Sequence, residues 1–528
     1  MNILTHPALM ALGAASLCLL TLTAPLVSPE HREIYHLCGS SLSIFVPVLI
    51  LLCAAWVVLT ALLWLARKAG WFHNLVWTSL IVLLPWIVVK HWFSLRATEP
   101  PHWLPGLARF VPLLILIIVL SSRYPPFASL MERVQNLAAA LLGFVSISSL
   151  LIVVQLMWFM WQARSLNTPL ELHHPSVASI RTQKHRVIWI LLDELSYQQV
   201  YERRFPGLEL PAFDLLASEA TVFTHAVPTA VATELAVPSL ITGLPVDHIR
   251  VASDGRKLSL HDPADDHWTP FDPHQSIFAE ALQDGYSTAV AGWYNPYCRI
   301  LAPVLDQCFW TNHTGVAGGM VSSQTIGWNT FQFVQRHLDR LLSHISATHK
   351  LPNALVYDAQ YHQMDYRELL DAGDSLLTNS STNFIYLHMP IPHPPGIYDR
   401  QRSNLTTGSA SYIDNLALAD NYLAHVRRIL ELQDEWNSST IVVMGDHSWR
   451  TKLIWSWSPA WTTEDQAASH GGQFDDRPVY LVKLPQQRSS CHFEPSFAAI
   501  HTRALFSGLL LDQWKTPGEL TAWAAAQH

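Results

Sequence analysis

The chain has 528 residues, 50% of them hydrophobic and only 14% charged, with a formal net charge of −8. Such a length allows roughly two to four domains, and the charged share falls below the roughly 25% usual in soluble domains. Residues 1–165 hold 9 Lys/Arg against 4 Asp/Glu, the rest 24 against 37; an acidic remainder excludes a nucleic-acid backbone as partner, which needs a basic footprint.

Five apolar stretches approach the about 20 residues that a membrane helix requires: approximately 7–27, 42–66, 72–94, 103–121 and 135–161. Pro85 interrupts the third, and Arg109 lies near one end of the fourth, where its stem can snorkel to the headgroups. The first lacks a basic leader and is followed by four more, which favours a span over a cleaved signal peptide. Residues 1–165 therefore read as an all-α transmembrane bundle of five helices. Lys and Arg divide four against four between the loops of the two sides, so charge does not choose the orientation.

Residues 166–185 read as a linker, and 186–528 as a single soluble domain. VIWILL (187–192) is a short, wholly apolar run, as a buried parallel strand is. Residues 211–220 have helical spacing, YSTAVAG (286–292) and NFIYLHM (383–389) are further strands, and 411–433 is the strongest amphipathic helix. STIVVMG (439–445) and RPVYLVKL (477–484) complete the strands. Buried strands alternating with helices predict an α/β domain with a mostly parallel sheet, whose ligands bind beyond the carboxyl ends of the strands. Cys298 and Cys308 lie close enough in sequence for a disulfide, which would place this domain in an oxidising compartment; Cys491 has no evident partner.

The chemistry-bearing residues gather at those strand ends. Asp193 and Glu194 follow VIWILL, and Asp446-His447 follow TIVVMG. A carboxylate at the end of a buried strand is costly unless paired or metal-bound. Adjacent strand residues face opposite ways, so one of Asp193 and Glu194 is the expected ligand, with Asp193 preferred and Glu194 as an additional one. Thr233 stands nine residues before Thr242-Gly243, at the start of a short helix; Pro238 belongs in a first turn, so that helix is expected to begin no earlier than about Glu234. Its hydroxyl would either cap the helix or, beside a divalent cation, act as a nucleophile. His388, His393 and His470 are the further candidates, His393 within PIPHPPG and His470 before two glycines.

In order and spacing these motifs resemble the alkaline phosphatase superfamily, and its sulfatase-like branch in particular: LLDE, a nucleophile segment ending in Thr-Gly, a His-rich loop, an apolar strand with GDH, and a late His before a strand. Sulfatases place a cysteine where Thr233 stands. Nucleotide pyrophosphatase/phosphodiesterases, lipid A phosphoethanolamine transferases and lipoteichoic acid synthases place a threonine there. The latter two resemble this chain in having five membrane spans before an extracytoplasmic catalytic domain.

The resemblance implies a divalent metal, zinc or manganese ahead of calcium, held by Asp193, Thr233, Asp446 and His447. Thr233 would be the nucleophile. His393, His470 and His388 would bind substrate or a second metal, and Arg450 would steady the anion. The chain lacks the Cys/Ser-x-Pro-Ser-Arg sequence that generates formylglycine, and Met389 replaces an aspartate of the two-metal phosphodiesterases, which favours one tight metal. The implied protein is a multi-pass enzyme of the cell membrane with its catalytic domain extracytoplasmic. It would transfer or hydrolyse a phosphoryl-linked group on an envelope lipid or glycan. A sulfuric ester hydrolase or phosphodiesterase releasing product to water, and a non-catalytic scaffold or sensor, are the alternatives.

Overall fold

The computed structural model describes residues 5–28, 30–68, 70–95, 110–122, 124–167, 171–173, 184–313, 320–343, 354–458 and 460–527. The chain divides into two compact units, Met1–Asn167 with Gly315–Pro352, and Thr168–Thr314 with Asn353–His528. The first division is thus not the simple boundary near residue 165 expected from the sequence, because a later segment joins the N-terminal helices.

Among the described residues of the N-terminal unit, three helices are long and apolar enough to cross a membrane: Leu42–Ala66, Gly70–Val89 within Gly70–Leu95, and Pro125–Ala163. The expected first span is broken at Leu19 into Pro7–Cys18 and Leu20–Leu26, and Pro25 in the second piece has no N–H to continue a regular ladder. Of the expected fourth, Val111–Ser121 is an 11-residue helix, while residues 103–109, including Arg109, lie outside the described residues. Most of the expected linker, 174–183, lies outside them too.

The segment that joins this unit includes the helix Ile326–Ser343. Its anchor is a polar contact with a physical cause. Pro47 sits inside Leu42–Ala66 and has no N–H to offer the carbonyl of Ser43 four residues earlier. Asn329, fully buried, supplies the missing donor: its Nδ2 reaches Ser43 O at 2.7 Å and Val321 O at 2.8 Å.

The second unit is built on strands β1 (Val187–Leu192), β2 (Thr221–Val227), β3 (His248–Val251), β4 (Leu258–Asp262), β5 (His267–Pro270), β6 (Thr288–Trp293) and β7 (Gln307–Thr311). They are followed by β8 (Phe384–Met389), β9 (Tyr398–Asp399), β10 (Asn404–Leu405), β11 (Thr440–Met444), β12 (Tyr480–Lys483) and β13 (Cys491–Ala498). Eight form one sheet in the order β13-β2-β12-β11-β1-β8-β6-β7. Every neighbouring pair is parallel except those made by β12, which runs against both β11 and β2. β1, β6, β8 and β11 are buried along their whole length, as strands covered on both faces must be. A large apolar core, with Ile188, Ile190, Leu387 and Val443 from the sheet and Phe213, Ile413 and Leu423 from the covering helices, packs against it. The helices Pro211–Ser218 and Tyr412–Leu432 match the expected 211–220 and 411–433 closely.

The sheet order has one consequence for chemistry. β8, β1 and β11 are hydrogen-bonded neighbours, so the segments that leave their carboxyl ends emerge side by side.

Asn329→Ala removes the donor to the buried Ser43 carbonyl and leaves Val321 O with the Gln324 N–H alone. It is expected to cost about 1–3 kcal/mol, read as a lowered unfolding temperature of the detergent-solubilised chain.

Candidate active site

Asp193 follows β1, His388 lies next to last in β8, and Asp446-His447 follow β11 after Gly445. The strand order brings Asp193 beside residues 195 and more positions away in sequence. Asp193, His388 and Asp446 are fully buried, and His447 is 1% exposed. Thr233 enters from the first turn of the helix Thr233–Thr242, 4% exposed. Its Oγ1 donates to Asp193 Oδ2 at 3.1 Å and lies 3.3 Å from His447 Nε2. His388 Nε2 is 3.5 Å from Asp193 Oδ2, and His447 Nε2 is 3.1 Å from Asp446 Oδ2.

Two local expectations need correction. Ala232, not Thr233, is the N-cap, and no side chain caps this helix; the Thr233 hydroxyl is turned into the cluster instead. Pro238 lies in the helix interior rather than its first turn, since the helix starts at Thr233. The bond it forfeits is the one to the carbonyl of Glu234, near the helix start, which limits the damage.

Glu194 also departs from strand alternation. Its φ is +63°, a left-handed conformation that turns the chain sharply after β1, so Asp193 and Glu194 both reach the cluster. One ligand atom each from Asp193, Glu194 and His447 lie within 4.8 Å of one another. The Glu194 oxygens are nevertheless engaged: Trp455 Nε1 donates to Oε1 at 2.9 Å and Oε2 at 2.8 Å, and Arg450 Nε donates to Oε1. Arg450 in turn donates through Nη2 to His393 Nε2 at 3.2 Å. Glu194 thus holds a guanidinium at the rim, where Arg450 is 11% and His393 17% exposed.

Burial governs the electrostatics. It raises the Asp193 carboxyl well above the usual range, and repulsion from Asp446 and Glu194 adds to this; burial raises Asp446 too. The same burial lowers His447 to about 3 and His388 to about 4, and drives His393 far down with Arg450 assisting. All three rings are therefore neutral at physiological pH, the form that ligates a metal. For Arg450, burial works against the charge, but Glu194 and Asp193 outweigh it and its affinity for the proton rises.

The donor set fits a divalent cation. Asp193 Oδ1, Asp446 Oδ2 and His388 Nε2 are buried and have no hydrogen-bond partner among the described residues. Two desolvated carboxylates that repel each other, with a neutral imidazole and a hydroxyl between them, call for positive charge at their centre.

His470 is not joined to this cluster. Its ring is exposed at a turn with φ +51°, and among the described residues no hydrogen bond or ion pair ties it to the other candidates. Conversely, four participants escaped the sequence reading. Trp455 holds Glu194, and Trp293 packs edge-on against His393 and stacks on His362. Tyr297 OH lies 2.7 Å from His388 Nδ1, fixing the ring whose Nε2 faces Asp193. The one signal for Tyr297 was its neighbour: Cys298 is bonded to Cys308 of β7, with Cα atoms 5.6 Å apart, as the spacing suggested.

Gly292 makes room for this arrangement, since a Cβ there would stand 2.3 Å from the buried Tyr297 ring. Gly292→Ala is expected to destabilise the fold by about 1–3 kcal/mol and to lower kcat more than KM. Denaturant unfolding and turnover of an artificial phosphodiester, measured on the same preparation, check both.

The sequence pattern of the Sulfatase family matches residues 185–478. No curated protein matches the chain in sequence. Among solved structures, Ps i-CgsB in complex with k-i-k-neocarrahexaose is 17% identical over 64% of this chain and 74% of that one, with a TM-score of 0.40. The lipoteichoic acid synthase LtaP from Listeria monocytogenes is 12% identical over 66% and 77%, with a TM-score of 0.38. The phosphonate monoester hydrolase of Agrobacterium radiobacter is 13% identical over 62% and 74%, with a TM-score of 0.36. With the family pattern spanning more than half of the chain and its motifs converging at the carboxyl edge of the sheet, this protein belongs to the sulfatase family, an enzyme of the alkaline phosphatase superfamily.

Proposed function

We propose that the chain is a membrane-anchored, metal-dependent enzyme that uses Thr233 as a nucleophile on an anionic phosphoryl-linked ester of an envelope lipid or glycan. The observation that carries this reading is the Thr233 hydroxyl, buried and set between Asp193 and His447 among carboxylate oxygens that lack partners. Asp193, Thr233, Asp446 and His447 would hold the metal, with His388 close enough to contribute. When bound, the metal supplies a lowered pKa for the hydroxyl and charge neutralisation for the ester.

The chain's own groups do the rest. The helix N-terminus at Thr233 favours an anionic group beside the hydroxyl. Arg450, kept in place by Glu194, offers its guanidinium to the non-bridging oxygens as charge builds on them. A bond forms from Thr233 Oγ to phosphorus as the bond to the leaving oxygen breaks, and the departing alcohol takes the proton the threonine gives up. Attack by water or by a second alcohol restores Thr233, which is why hydrolysis and transfer share this site. The absence of the formylglycine-forming sequence around Thr233 weighs toward phosphorus over sulfur. The three long apolar helices support membrane anchorage, and the Cys298–Cys308 disulfide supports an extracytoplasmic catalytic domain.

Three variants test the assignment. Thr233→Ala is expected to abolish turnover of an artificial phosphodiester while metal content, read by elemental analysis, stays largely intact; full activity rules this nucleophile out. Arg450→Ala is expected to lower kcat/KM by about 100-fold. Glu194→Gln should keep its metal and share the Arg450 defect, whereas loss of metal would make Glu194 a ligand instead of a holder.

A further inference from the structure

The helix Ile326–Ser343 has two faces with different fates. One is built into the N-terminal unit. Phe333 and, just before the helix, Met320 join a buried cluster with Ile44, Phe45 and Val48 of Leu42–Ala66 and with Leu156 and Phe159 of Pro125–Ala163. Ser322 adds polar ties: its carbonyl accepts from Ser43 Oγ at 2.6 Å, and its Oγ accepts from the Cys38 N–H at 3.0 Å. Together with the Asn329 bond to Ser43, these contacts seat the segment on the first turn of Leu42–Ala66. Because Leu156 and Phe159 lie near the far end of Pro125–Ala163, that end and the Ser41 end of Leu42–Ala66 share one level.

The other face carries exposed apolar side chains. Ile326, Trp328, Phe331 and Val334 are 36%, 38%, 54% and 43% exposed. Trp328, Phe331 and Val334 recur every three residues, and an aqueous surface does not favour such a row. The neighbouring span carries the same signature: Leu42 is 48% and Ile50 43% exposed, beside the Ser43 to which Asn329 is bonded. Acyl chains must cover those residues if Leu42–Ala66 crosses a bilayer, and the exposed row belongs to the segment bonded to that end of the span. The depth fits as well, because the attachment point is the first turn of the span, where the hydrocarbon gives way to headgroups and where tryptophan is favoured.

We propose that Ile326–Ser343 is an interfacial helix, lying in the headgroup layer with Trp328, Phe331 and Val334 against the acyl boundary. It rests on the reading of Leu42–Ala66 as a membrane span. The sequence places this segment between β7 and β8, inside the sheet-forming portion of the chain. Its role is to pin that excursion to the bilayer surface at the Ser41 end of the span.

The test uses the full chain in vesicles of phosphatidylcholine and phosphatidylglycerol, with the cysteines outside the disulfide, Cys18, Cys38, Cys53 and Cys491, replaced by serine. An environment-sensitive fluorophore is attached at Phe331→Cys, at Val57→Cys on the exposed side of the span, and at the exposed Ser438→Cys as the aqueous control. Quenchers are carried on the lipid headgroup or shallow on the acyl chain. The expected result is strong quenching at 331 by both shallow quenchers and at 57 by the acyl quencher, with none at 438. Quenching at 57 but not at 331 overturns the interfacial helix alone. No quenching at either position overturns the membrane span as well. Trp328→Cys repeats the measurement should the label at 331 disturb folding. A disulfide-linked dimer through Cys at 331 would also overturn the proposal, by giving that face to a second copy of the chain.

Discussion

Two buried carboxylates that repel each other organise this enzyme. Asp193 and Asp446 are fully shielded from water, Asp446 raises the cost of charge on Asp193, and among the described residues one oxygen of each has no hydrogen-bond donor. Such a pair is destabilising as it stands. The structure surrounds it with neutral imidazoles at His388 and His447 and with the Thr233 hydroxyl, which donates to Asp193; none of these carries a positive charge that would neutralise the pair. The site is thus shaped around positive charge at its centre, at the expense of local stability.

The positive charge that the chain itself supplies is kept at the rim. Arg450 is held there by Glu194, which Trp455 anchors in turn, and it reaches His393. The sharp turn at Glu194 lets neighbouring residues serve two purposes, Asp193 toward the centre and Glu194 toward the arginine. Behind the centre, Tyr297 braces His388, and the disulfide at Cys298 ties the short helix that carries Tyr297 to β7. The ring plane of His388 is therefore fixed by groups outside the cluster, as the proposed coordination would require.

Much of the fold was legible because burial leaves a compositional mark. β1, β8 and β11 are covered on both faces and read as unbroken apolar runs. The helix Tyr412–Leu432 is covered on one face and reads as a periodic one. β13 was missed because it carries Glu494 and Pro495 and an irregular register, which only the edge of a sheet tolerates. The excursion 315–352 was missed for a different reason: nothing local reveals that Asn329 satisfies a carbonyl stranded by Pro47, almost three hundred positions earlier.

The sequence by itself determined where the candidate residues stand: Asp193, Thr233, Asp446 and His447 lie at the ends of apolar strands or at a helix start, and those places are set by local pattern. It could not weigh His388 against His470, which look alike as isolated histidines; only tertiary structure buries the first against Asp193 and leaves the second in water. Nor could it assign Glu194 to Arg450, because the partner of a carboxylate depends on which strands lie side by side. Strand order is a long-range property of the folded chain, and it is strand order that turns scattered residues into one site.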